Sequence, residues 1–134
     1  MAAEPARPYG RDMTSEHIVV RGEHVTLAVS PEGAEPQSLR DPGGHEYLWQ
    51  AGPEWARHAT LLFPIICRVP DDTITVRGRQ YPMPQHGFAR DRTFDVVDAD
   101  QSRASFVLVA DEETREHYPY DFALAVTYEL SLIH

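Results

Sequence analysis

Short apolar runs with period-two alternation recur along the chain, separated by residues that favour turns. HIVVR (17–21), HVTLAVS (24–30), TITV (73–76), RQYPM (79–83), TFDVVDA (93–99), RASFVLVA (103–110) and DFALAVTYELSL (121–132) each read as β-strands. Arg21-Gly22-Glu23 divides the first two runs and Arg77-Gly78 divides TITV from RQYPM. That spacing predicts two hairpins, each with glycine at the turn position where positive φ costs least. In RASFVLVA, Ala104, Phe106 and Leu108 fall on one face and Ser105, Val107 and Val109 on the other. Both faces are mostly apolar, so at least the second half of this strand is expected to be buried on both sides, as in a sandwich interior.

A helical signature occurs in residues 111–117, DEETREH, with carboxylates in its first turn and Pro119 beyond its end. Residues 31–41 (PEGAEPQSLRD) and 41–49 (DPGGHEYLW) are broken by Pro and Gly and read as irregular or edge-strand segments. Residues 1–16 mix Pro, Gly, Ala and charge with no apolar period, which predicts a disordered leader. The expectation is an all-β fold with one short helix over residues 17–134, with no boundary inside it.

Composition then narrows function. Asp and Glu number 21 against 12 basic residues, all of them Arg, for a formal charge of −9. Such a balance argues against a nucleic-acid partner, while a few converging Arg could still hold a small anion, because local charge decides that contact. Cys67 is the single cysteine, which excludes an internal disulfide and fits a reducing, cytoplasmic setting. The start lacks the apolar run of a signal peptide, and the longest uncharged apolar stretch, residues 61–67, is too short to span a bilayer, so no membrane role is expected. The seven His are scattered, with no H-x-x-x-H pair, and Cys67 has no CxxC partner, so no metal site is expected. Cys67, within an apolar run, is assigned to core packing.

Candidate chemistry is densest between Trp49 and Arg90, where W-x5-W, LLFPIICRVPDD and YPMPQHGFARD crowd aromatics, Pro, Gly, His and Arg together. A sugar site needs flat aromatic surface for the ring's apolar face and a few fixed hydrogen-bonding groups for its hydroxyls. Trp49, Trp55, Phe63, Arg68, His86, Phe88 and Arg90 provide both kinds. Taken singly, Arg68 reads as an arginine at a strand end and His86 as a turn histidine, while the two Trp serve core and site equally well. Asp71-Asp72 reads as a solvated turn before a hairpin.

The order GAEPQSL, EYLW, LFPIICR, a hairpin, PQHGFARD, then ET and YPYDFAL resembles the bacterial aldose 1-epimerase family of the galactose mutarotase superfamily, in its LacX-like branch. The resemblance runs from about His17 to Leu130. It implies a β-supersandwich, no cofactor, and interconversion of the α and β anomers of an aldose by acid–base ring opening. It further implies that Arg68 binds sugar and that His86 is the first active-site histidine, close to the ring oxygen and C1. Trp49 and Phe88, from the aromatic set above and not from the resemblance, are the further candidates for contact with the sugar. Arg90 corresponds to an arginine near the phosphate in the related hexose-6-phosphate 1-epimerases, which makes a phosphorylated aldohexose the runner-up substrate.

Two features depart from the family pattern. Cys67 stands where relatives usually carry Gly before the arginine. The family's principal acid, a mid-chain histidine, and its base, a late glutamate, have no counterpart here, and TYELSLIH is expected to stop inside a strand. The expectation is therefore a truncated, N-terminal portion of such a domain, with a non-catalytic carbohydrate-binding fragment as an alternative and self-association through an open strand edge as a hazard.

Overall fold

All seven expected runs form strands in a computed structural model that describes residues 16–132. Nearly all of the expected leader, residues 1–15, lies outside the described residues. The first sheet is antiparallel, in the order β1 (Ile18–Arg21), β2 (Thr26–Ser30), β3 (Glu35–Arg40). β3 arises in the Pro-interrupted segment, and Pro36, which has no N–H to give, is tolerated because β3 is an edge. β4 (Thr73–Val76) and β5 (Arg79–Pro82) make a separate hairpin. The third sheet runs β6 (Asp95–Ala99), β7 (Arg103–Val109), β8 (Ala123–Glu129), again antiparallel. The helix α1 (Glu112–His117) sits between β7 and β8.

The alternation read in the sequence fixes which faces meet. Val20, Leu27 and Val29 from the first sheet and Ala104, Phe106 and Leu108 from the third form one core with Met83, Phe88 and Phe94. The two sheets are also tied by main chain, since the Arg21 N–H donates to the Gln101 carbonyl at 2.7 Å. The opposite face of β7 departs from expectation: Ser105 is buried, its hydroxyl bonded to that of Thr127 at 2.8 Å, but Val109 is 51% exposed. Its cross-strand neighbours Ala123 and Ala125 are exposed as well, so among the described residues this side of the sheet is open.

Four further expectations resolve in detail. The β4–β5 turn holds Arg77 at φ 51° and Gly78 at φ 77°, as a two-residue hairpin requires. Gly22 is not in that region. A Cβ there would lie 3.1 Å from both Leu130 Cβ and the Ser131 carbonyl oxygen, so crowding, not φ, selects glycine. β8 ends at Glu129 instead of running through TYELSLIH, because β7 begins at Arg103 and leaves Ser102 as the last partner, which accepts from the Leu130 N–H at 2.9 Å. Residues 133–134 of that segment lie outside the described residues. α1 forms as expected, closed by a reciprocal box: the Thr114 N–H donates to Asp111 Oδ1 and the Asp111 N–H to Thr114 Oγ1, each at 2.8 Å.

The irregular segment after β3 is pinned by two carboxylates. Glu35 accepts from the His58 and Ala59 amides at 2.7 and 3.1 Å. Glu46 accepts from the Leu39 and Leu48 amides at 2.8 and 3.0 Å and from the Arg40 Nε–H at 3.0 Å, and it also takes the Ser38 hydroxyl. Partial desolvation works upward on Glu46, but the bonds from Ser38, Leu39, Leu48 and Arg40 outweigh it and hold its pKa at about 2, below the ordinary 4.5. A depressed folded pKa stabilises above the unfolded value and ceases to do so as pH falls through the folded one. Glu46→Gln is thus expected to be less stable than the parent at neutral pH, with the gap closing between pH 4.5 and about 2. Urea midpoints across that window check this, and a gap independent of pH would show that the ionised carboxylate contributes nothing.

Candidate functional site

Two stretches far apart in sequence run side by side to build the site. Phe63 of FPIICR and Gly87 of QHGFAR form a parallel bridge, and the Phe63 carbonyl accepts from the Phe88 and Ala89 amides at 2.9 and 3.2 Å. A few residues along, the link becomes reciprocal. The His86 N–H donates to the Cys67 carbonyl at 2.9 Å, and the Cys67 N–H donates to His86 Nδ1, also at 2.9 Å. A ring nitrogen that accepts carries no proton, so the neutral imidazole holds its proton on Nε2 and offers it as a donor. His86 is half-buried and at φ 63°, held by bonds on both sides of its backbone turn.

Arg68 follows at once, in a loop instead of at a strand end. Its side chain is 66% exposed and forks onto Asp72, with Nε and Nη2 each 2.7 Å from a carboxylate oxygen. The Asp72 hydrogen bond and charge push the guanidinium pKa further up, and Arg68 in turn holds Asp72 below the usual carboxylate range. Asp72 takes the Nε and one Nη2 proton, which leaves the Nη1 donors for a ligand. On sequence alone Asp72 is part of a solvated turn. The R-x-x-x-D spacing was the available signal, and it is weak without knowing that residues 70–72 coil into a 3-10 turn.

Cys67 is exposed, which corrects its assignment to the core. Its φ of 68° explains both that and the glycine expected at this position, since the left-handed region disfavours any Cβ. Cys67→Gly is expected to raise stability by about 0.5–1 kcal/mol, the relieved strain being partly offset by the greater freedom of glycine in the unfolded chain. Thermal melts of the two proteins compare them, and a lower melting temperature for the variant would mean that the thiol makes contacts that matter more than φ.

The remaining candidates divide by burial. Phe88 is only 7% exposed, and its ring packs edge-on to Phe63 at 6.2 Å and near Phe122 at 6.0 Å, so it backs the site from inside the core. Phe122 also lies 5.1 Å from Phe63, which gives YPYDFAL its packing role behind the same motif. Trp49 and Trp55 are each about half exposed, and the Trp49 indole N–H donates to the Trp55 carbonyl at 2.8 Å within their own loop. Arg90 reaches back to the main chain just before His86. Its Nη2 donates to the Gln85 carbonyl at 3.1 Å, and its side chain lines a cavity with Arg57, Asp91, Glu32 and Glu35. Gly33 of GAEPQSL closes over this turn, since a Cβ there would stand 2.8 Å from the Arg90 carbonyl oxygen. GAE and ARD, widely separated in sequence, are therefore in contact. Among the described residues no three His, Cys, Asp or Glu side chains converge as metal ligands, and no helix is long and apolar enough to cross a membrane.

Comparison with known proteins bears on this geometry. Residues 16–132 match the family described as Aldose 1-epimerase. The plasmid-borne protein LacX of Lactococcus lactis subsp. lactis is 32% identical over 120 residues, covering 85% of this chain and 40% of LacX. The structure of a galactose mutarotase related enzyme from Lactobacillus acidophilus superposes with a TM-score of 0.84 at 38% identity, over 86% of this chain and 39% of that one. A galactose mutarotase-like protein from Lactobacillus casei superposes at 0.81 with 37% identity, over 85% and 40% of the two chains. This chain thus spans about 40% of the length of the relatives it matches.

Proposed function

Because the chain belongs to the aldose 1-epimerase family, we propose that it supplies the His86 and Arg68 portion of a site that interconverts the anomers of an aldohexose. Opening the ring requires a proton delivered toward the ring oxygen as another leaves the anomeric hydroxyl. The reciprocal bond between His86 and Cys67 carries this reading, because it fixes the ring and leaves the proton of the neutral imidazole on Nε2 as a donor for one of those oxygens. Arg68, steadied by Asp72, orients hydroxyls through its remaining donors. The further acid and base that the reaction needs belong to the part of the family fold beyond this segment. A lone thiol at Cys67 fits work in a reducing cytoplasm.

An unphosphorylated aldose is the favoured substrate. Arg90, the residue that would receive a phosphate, shares its cavity with Asp91, Glu32 and Glu35, which would repel a dianion. The test is titration of the 134-residue chain with glucose and with glucose 6-phosphate, followed by amide NMR. Glucose is expected to move the resonances of Cys67, Arg68 and His86, with glucose 6-phosphate binding no more tightly. Arg68→Lys should weaken the response, since a point charge cannot reproduce forked donors. Unmoved resonances at these positions in a folded sample would remove the site, and tighter binding of the phosphate ester would reverse the choice of substrate.

A further inference from the structure

The carboxylate that holds Arg68 is itself held. The Asp72 N–H donates to the Val69 carbonyl at 3.2 Å, and the Asp72 carbonyl accepts from the Met83 N–H at 2.7 Å. Met83 is 1% exposed and belongs to the core, three residues before His86. Asp72 therefore sits on a turn braced against the interior, at a set position relative to both site residues. An exposed ion pair between two free side chains contributes little. This one is bidentate, with two bonds of 2.7 Å, and one partner stands on fixed main chain.

A guanidinium carries five N–H donors in one plane. Asp72 takes the Nε proton and one proton of Nη2, and Arg68 has no other partner among the described residues. Three N–H groups remain, two on Nη1 and one on Nη2, and one from each nitrogen points away from the end of the side chain in the same direction. That end fits two neighbouring oxygens, whether they belong to a carboxylate, a phosphate or adjacent hydroxyls. Charge separates these ligands. Asp72 neutralises Arg68 at contact distance, and Asp71 adds a second carboxylate to the same turn. An anion arriving at Arg68 meets two negative charges for one positive. A pair of hydroxyls is indifferent to that balance and still gains the hydrogen bonds.

We propose that Asp72 is a specificity-determining residue: by occupying one edge of Arg68 and neutralising it, Asp72 reserves the remaining donors for the hydroxyls of a neutral sugar and turns anions away. This rests on the reading of His86 and Arg68 as a sugar site. It is independent of the charges around Arg90, which lie in a separate cavity.

Amide NMR titration of the 134-residue chain with glucose, at neutral pH with and without inorganic phosphate, tests the role of Asp72. In the parent, phosphate is expected to leave the glucose-induced shifts of Arg68 and His86 unchanged. In Asp72→Asn, phosphate should displace glucose at a concentration lower than in the parent by about threefold or more. Asparagine keeps the size of the side chain and tolerates the φ of 49° at this position. Asp72→Ala is a second neutral variant with the same expectation, and circular dichroism confirms that each variant is folded. Asp72→Glu returns the charge and should restore the exclusion of phosphate, a rescue that a merely structural role would not produce. Two results overturn the proposal while leaving the sugar site standing: phosphate competing equally in the parent and the neutral variants, or competing in none of them. Glucose that fails to move Arg68 and His86 in the folded parent would remove the site itself, and the role of Asp72 with it.

Discussion

Replacing Gly87 by alanine is expected to cost about 4 kcal/mol or more, among the largest effects of any single methyl group in this chain. A Cβ at this position would stand 2.1 Å from the Phe63 carbonyl oxygen, 2.4 Å from its carbon and 2.6 Å from Pro64 N. These are backbone atoms, so no rotamer change can relieve the contact. Phe63 cannot retreat either, because its carbonyl holds the Phe88 and Ala89 amides and its ring packs against Phe88 and Phe122. Gly87 also lies at φ 73°, where a side chain adds about 1–2 kcal/mol by itself. Gly78→Ala isolates that second contribution, since Gly78 has nearly the same φ, 77°, and nothing within 4 Å of its would-be Cβ. With a urea m-value of about 1–3 kcal/mol/M, Gly87→Ala should lower the unfolding midpoint by more than about 1 M and Gly78→Ala by clearly less. Equal shifts for the two variants would mean that the close approach of the two motifs is not rigid. The glycine of QHGFAR is then best understood as a spacing device. It lets two loops come within hydrogen-bonding reach, and His86 is positioned as a result.

That role was only partly legible in the sequence. The strands were, because period-two alternation is local: Val20, Val29 and Phe106 declare their buried faces whatever lies opposite them. The helix was, because its first-turn carboxylates and Pro119 lie within or just beyond the segment itself. The segment of β3 fits both an irregular stretch and an edge strand, since Pro36 hides the alternation of Glu35–Arg40. Cys67 was misplaced in the core for a different reason. Composition placed it in an apolar run, but its φ of 68° is imposed by the bond to His86, nineteen residues later. The same holds for Asp72, for the contact of Gly33 with Arg90, and for the open face at Val107 and Val109, all of which depend on which segments meet. Residue types nominated Trp49 and Phe88 alongside His86, Arg68 and Arg90, and family resemblance singled out the last three. Packing separates them, with Phe88 in the core, Arg90 in its own cavity, and His86 beside Arg68 at the solvent boundary.

His86→Ala is expected to reduce anomer exchange by about 10²- to 10⁴-fold, the usual contribution of a positioned proton donor, in a polypeptide that carries this segment together with the rest of the family fold. Stability should change by less than about 1 kcal/mol, because Cys67 is an exposed residue and water can take the place of the lost acceptor. Alanine at φ 63° has a Cβ as histidine does, so the substitution does not relieve backbone strain at that position. His86→Asn refines the test. Its side-chain oxygen can accept from Cys67, and asparagine tolerates the left-handed region, but the shorter side chain cannot extend an N–H to where Nε2 stands. Exchange between α- and β-glucose, followed at the anomeric protons by NMR, should therefore be lost in both variants, while unfolding curves stay near the parent's and Asn lies closest. Activity retained in His86→Asn would assign the residue to holding Cys67 and Arg68 in place. Activity retained in both variants would remove it from the site. Loss in both with the fold intact would tie the proton on Nε2 to the chemistry, and would make the bond from the Cys67 amide the feature that keeps it there.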